Sequence, residues 1–141
     1  MSFSLETRIG VLGAGAMGSG IAQVAAAAGH PVVLGDVSGP QLEKARGGIA
    51  KAMSREVEKG RKSAAEADAI TGRIDVASTA DGFTAFADCG FIIEAIAEDL
   101  AIKQQVFTAL ERVAPDATLG TNTSSLSVTA IASACARPDR V

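Results

Sequence analysis

Short apolar runs alternate with longer stretches of helical period along this chain. Ile9, Val11 and Leu12 form the first run, and residues 17–28 follow as helix formers up to Gly29, a helix-ending residue. PVVLGD (31–36) reads as a second strand. Leu42, Ala45, Ile49, Ala52 or Met53, and Val57 then recur at helical spacing through a long helix expected to stop at Gly60. Ser63 and Glu66 stand at capping-box spacing and open a short helix closed by Gly72, which leads into a third strand at 73–78. A fourth strand (90–96) is followed by a helix with Ile102, Val106, Leu110 and Val113 on one face. A fifth strand (117–123) and a last helix around 128–135 complete the series. Little polar alternation occurs within the strands. The order therefore predicts an α/β fold: a doubly wound, mainly parallel sheet with helices on both faces and a helical hairpin inserted before the third strand. At 141 residues the chain is expected to form one domain, 1–141.

Composition sharpens this picture and removes several functions. Apolar residues make up 48% of the chain with no Trp or Tyr, so close contact of small side chains with Val, Ile and Leu has to supply the core. Thirteen basic against sixteen acidic residues leave a formal charge of -3, which lacks the basic excess of a nucleic-acid binder. No apolar run is long enough to span a bilayer and MSFSLETR does not resemble a signal peptide, so a soluble, cytoplasmic protein without a membrane partner is expected. Cys89 and Cys135 lack metal-ligand spacing and are expected to be reduced, buried thiols, with no metal site.

The first strand and helix are joined by an unusually bare backbone, with five glycines and three alanines in RIGVLGAGAMGSGIAQ. Between a strand and a helix, GAGAMG fits G-x-G-x-x-G: Gly13 for a tight turn, Gly15 for approach of a pyrophosphate, Gly18 for helix-on-strand packing. Gly13, Ala14, Gly15, Ala16, Met17 and Gly18 are thus the candidate phosphate loop, with the helix N-terminus supplying N–H groups and a positive dipole end. Small-residue turns also serve packing alone. Asp36 changes the balance, because it closes the second strand eighteen positions after Gly18, near the offset at which a carboxylate takes the ribose hydroxyls of a dinucleotide. An acid there repels a 2'-phosphate, and the following VSG has no arginine to receive one, which favours NAD over NADP. The fingerprint alone also admits FAD.

Two further groups lie where strands end. Glu98 and Asp99 follow the fourth strand, either as first-turn acids complementing a helix dipole or as ligands at the sheet edge where open α/β folds bind. Asn122, Thr123, Ser124 and Ser125 follow the fifth, where a turn or a cap needs one such residue rather than four. Lys44, Lys51, Arg55, Lys59 and Lys62, spaced by seven, four, four and three, share one side of a helix, as a solvated face or as a ledge for phosphates.

From Gly10 to Val141 the chain resembles the N-terminal, Rossmann-type NAD-binding domain of the 3-hydroxyacyl-CoA dehydrogenases, in GAGAMGSGIAQVAAAAGHPVVLGDV, FIIEAIAEDLAIKQQVF and TNTSSLSVTAIA, which occur in family order and spacing. These enzymes oxidise an L-3-hydroxyacyl-CoA to the 3-ketoacyl-CoA with NAD. The resemblance implies that Glu98 and Lys103 line the nicotinamide and ribose end of the cofactor. It also places Ser124 between nicotinamide and substrate hydroxyl, makes Asn122 and Ser124 the catalytic candidates, and brings Lys59 to the CoA of an acyl-CoA substrate. Gly35 departs from the family, which carries a larger residue there, and is expected to loosen the adenine side. The family's Gly-x-His-Phe-Phe-Asn-Pro segment, with its catalytic histidine, and the helical C-terminal domain that forms the homodimer are absent from the sequence, which ends at Val141. This chain is therefore expected to bind NAD without catalysing turnover. A stand-alone nucleotide-binding or regulatory module without catalysis is the alternative.

Overall fold

A computed structural model describes residues 3–141. Five parallel strands, β1 (Arg8–Leu12), β2 (Val32–Asp36), β3 (Ile74–Ser78), β4 (Cys89–Glu94) and β5 (Thr118–Thr121), form one sheet in the order β3-β2-β1-β4-β5. The chain starts in the middle, winds outward to β3, then returns to the other side of β1. The reversal places a crevice at the carboxyl ends of β1 and β4, where such sheets bind ligands. In register, Leu12 lies between Gly35 and Glu94.

Helices α1 (Ala16–Ala27), α2 (Gly39–Glu58) and α3 (Ala64–Gly72) cover one face, and α4 (Leu100–Val113) and α5 (Val128–Ala132) the other. Alternate strand residues divide between the two cores: Val32 and Leu34 pack with α2 and α3, while Val33 packs with Phe86, Phe107 and Leu110. The alanine-rich composition serves the close approach of α1, whose Ala22 and Ala26 are fully buried.

The long helix and the hairpin form as the sequence predicts. Ser38 caps α2, Gly60 (φ +68) follows its C-cap Lys59, and Ser63 and Glu66 close a reciprocal capping box on α3. Gly72 closes α3 as expected: it is the last helical residue, and Arg73 ends the helix in right-handed geometry before its carbonyl accepts the Val32 N–H.

Other bounds shift for identifiable reasons. The fourth strand stops at Glu94 instead of running to 96, because β1 ends at Leu12 and the Ile96 N–H turns back to the Glu94 carboxylate. The fifth stops at Thr121 as the Thr123 N–H bonds the Thr121 hydroxyl. The last helix gives way after Ala132 to tighter i→i+3 bonds.

The expected apolar face of α4 is rotated. Its buried seam is Lys103, Phe107 and Leu110, while Ile102 is 47% exposed at the sheet edge. Gly35 leaves no gap, because a Cβ there would meet the Phe86 ring and Thr79 within 3.0 Å. Cys89 and Cys135 are buried free thiols, Cys89 pushed up to about 11 by burial.

Candidate functional site

The three glycines of the loop do three different things. Gly13 adopts φ +108 and donates its N–H to the Gly35 carbonyl at 2.8 Å, and a Cβ on it would meet the Ala95 carbonyl oxygen at 2.5 Å. At Gly18 a Cβ would overlap the Gly13 carbonyl oxygen. Around Gly15 the nearest atom to a Cβ is Gln41 Nε2, 3.8 Å away. So Gly13 and Gly18 are required by packing, whereas Gly15 leaves space open. That space belongs to a cleft of about 330 Å³ lined by Ala14, Gly15, Ala16, Ser19, Gln41 and Lys44. Among the described residues no side chain caps the N-terminus of α1, and its first turn holds no acid. An anion in the cleft would face uncompensated N–H groups and the positive dipole end.

Asp36 joins this cleft to a second one. Its Oδ2 accepts the Ala14 N–H at 2.8 Å and its Oδ1 the Ser38 N–H at 2.9 Å, which fixes the carboxylate and leaves each oxygen a further lone pair. Beyond it is a slot of about 210 Å³ walled by Val37, Thr79, Phe83, Ile96, Ile102 and Val106. The exposure of Val37 (70%) and Ile102 is explained by this apolar slot. Thr79, 5% exposed, has a buried hydroxyl without a partner among the described residues. A bare anion cradle, a fixed carboxylate and an apolar slot fit pyrophosphate, ribose and a flat heteroaromatic base, in that order.

At the ends of β4 and β5 a hydrogen-bonded group of charges forms. Lys103 Nζ lies 2.7 and 2.9 Å from the two Glu94 oxygens and 2.9 Å from Glu98 Oε1. Glu94 also accepts from the Thr121 hydroxyl and from the Ile96 N–H at 3.1 Å, so an acid and a base with no solvent exposure are both fully bonded. Glu98 Oε2 accepts the hydroxyls of Thr123 and Ser125, each at 2.6 Å. Those hydroxyls and the Lys103 ammonium hold the Glu98 carboxyl down to about 2. Asp99, by contrast, is the N-cap of α4.

Gly13–Gly18, Asp36, Glu98, Lys103, Asn122 and Ser124 thus lie along one edge of the sheet. Lys103 is the exception in access, since its ammonium is spent on two carboxylates. Ser127, not the preceding run, caps α5, and Asn122 and Ser124 are exposed with free side chains among the described residues. Lys59 stands apart. It is exposed at the far end of α2, roughly 30 Å along the helix from Ser38. His30 is at the opposite edge, its Nδ1 3.0 Å from the Thr7 carbonyl oxygen.

Glu94, Thr121 and the slot residues Thr79 and Phe83 are not singled out by motif or spacing. A signal for Glu94 did exist: a single acid inside the otherwise apolar run FIIEAI. Thr79 and Phe83 carry none, because they reach the slot from a loop beyond β3.

The model of the 3-hydroxyacyl-CoA dehydrogenase NAD-binding domain matches residues 8–141. A probable 3-hydroxybutyryl-CoA dehydrogenase of Bacillus subtilis is 42% identical over 135 residues, covering 95% of this chain and 46% of that protein. The human mitochondrial hydroxyacyl-coenzyme A dehydrogenase is 38% identical over 136 residues, 92% of this chain and 43% of its own length. The crystal structure of 3-hydroxybutyryl-CoA dehydrogenase from Escherichia coli K12 superposes with a TM-score of 0.91 at 37% identity, over 99% of this chain and 29% of that one. The chain therefore spans less than half the length of these relatives.

Proposed function

This chain belongs to the 3-hydroxyacyl-CoA dehydrogenases as their NAD-binding domain, and on that premise we propose that its sheet edge seats NAD for hydride exchange with a 3-hydroxyacyl-CoA. Residues 1–141 act as a single cofactor domain. Asp36 accepts the hydroxyls of the adenosine ribose, the first turn of α1 receives the pyrophosphate beside Gly15, and Val37, Phe83 and Ile102 flank the adenine. Glu98 takes the nicotinamide ribose, and Lys103 acts through Glu98. When bound, the nicotinamide supplies a hydride acceptor for the carbinol carbon. Asn122 and Ser124 orient the substrate hydroxyl from the end of β5, and Lys59 pairs with a phosphate of an extended CoA. A cytoplasmic setting and, for a whole protein, a homodimer belong to the same proposal.

The observation that carries this reading is the Asp36 carboxylate, held by two backbone N–H groups between an anion cradle and an apolar slot. Saturation-transfer NMR with NADH tests the orientation. Irradiating protein methyl groups should saturate the adenine protons most strongly, because Val37, Ile96, Ile102 and Val106 wall the slot. Saturation confined to the nicotinamide protons would overturn it.

A further inference from the structure

Glu94, Lys103 and Glu98 place three formal charges in one hydrogen-bonded group: two carboxylates against one ammonium. The group has an excess of one negative charge. Its members differ in access, Glu94 and Lys103 having no exposed side-chain surface and Glu98 38%. The internal pair is thus out of reach of solvent ions, and the carboxylate facing the edge is Glu98.

Strand pairing does not call for an acid at position 94, since Ile92, on the same face of β4, is buried and apolar. What Glu94 does electrically is specific. Without it, Lys103 would neutralise Glu98. With it, Lys103 is already balanced and the charge of Glu98 is left uncompensated at the ends of β4 and β5.

Resting on the reading above that the nicotinamide lies at this edge, we propose that Glu94 sets the balance between oxidised and reduced cofactor. The oxidised nicotinamide ring is a cation and the reduced ring is neutral, so an uncompensated negative charge favours only the former. Glu94 touches neither substrate nor cofactor. It is a positioning residue that acts through Lys103 and Glu98. The exposed Asp99, which caps α4, adds a constant background.

The test is the ratio of NAD+ to NADH dissociation constants of this chain, measured by calorimetry at fixed salt. Glu94→Gln keeps the shape and most of the hydrogen bonds but brings the group to neutrality, and should shift the ratio toward NADH by about tenfold. Adding Lys103→Met to Glu94→Gln restores the excess of one negative charge. The ratio should return to within about twofold of the unaltered chain, whatever the loss in absolute affinity. Should Glu94→Gln not fold, Glu98→Gln reaches neutrality from the exposed side and should shift the ratio in the same direction. A merely structural Glu94 predicts that both affinities fall together with the ratio unchanged, and that result would overturn the inference alone. An unaltered chain that binds neither form would remove the reading beneath it as well.

Discussion

The backbone of Gly18 lies directly against the carbonyl of Gly13, where any Cβ would overlap the oxygen. Three residues earlier in the helix-loop junction, Gly15 has open space at the same point and an ordinary φ of -72. Replacing each with alanine should therefore separate fold from ligand. Gly18→Ala should destabilise the domain by about 3 kcal/mol or more through overpacking against backbone that cannot yield. Gly15→Ala should melt like the unaltered chain yet bind NADH at least about tenfold more weakly, its methyl group standing where the pyrophosphate passes. Thermal melts with NADH titrations check both, and equal loss of stability in the two variants would refute the distinction.

Glu98 supplies a pH prediction. Its carboxyl is lowered to about 2 by the Ser125 and Thr123 hydroxyls and by Lys103. A depressed folded-state value means that the contribution to stability is complete above the unfolded value of about 4.3 and is lost as pH falls through the folded value. Glu98 should stay ionised from pH 8 to pH 4. In Thr123→Val with Ser125→Ala its titration should move up, with Lys103 still holding part of the depression, seen in the side-chain carboxyl carbon by NMR. An unchanged midpoint would show that the hydroxyls do not hold it.

Turnover depends on a base for the substrate hydroxyl, and histidine serves best near neutral pH. The sole histidine, His30, precedes β2, whereas Glu98 and Ser124 follow β4 and β5. A five-residue strand separates those edges by roughly 17 Å, far beyond the reach of proton transfer. Residues 1–141 should bind NADH without reducing acetoacetyl-CoA at a measurable rate. Steady reduction that disappears in His30→Ala would place His30 at the wrong edge.

Much of this molecule was legible because its signals are local. The glycine turn, the Ser63–Glu66 capping box and the apolar runs each depend on residues a few positions apart, and all five strands and helices α1–α5 form where those signals lie. What the sequence concealed depends on distant neighbours. Lys103 occurs in a polar-looking stretch, and only the fold reveals that Glu94 and Glu98 draw it fully inside. Ile102 fits a helical apolar stripe, yet it lines the apolar slot at the ends of β1 and β2 instead of the core. Gly35 reads as a loosening of the adenine side, and only the fold reveals that Phe86, fifty-one residues later, fills the volume beside it.

The seating of NAD against Asp36 is tested most directly by calorimetric titration of this chain with NADH and NADPH side by side. NADH should bind more tightly, because the carboxylate bonds a ribose diol and repels a phosphate on it. Asp36→Ala should weaken NADH by about 1.5 to 3 kcal/mol and narrow the difference between the two cofactors. Equal or tighter binding of NADPH by the unaltered chain would contradict the placement of the adenosine ribose at Asp36.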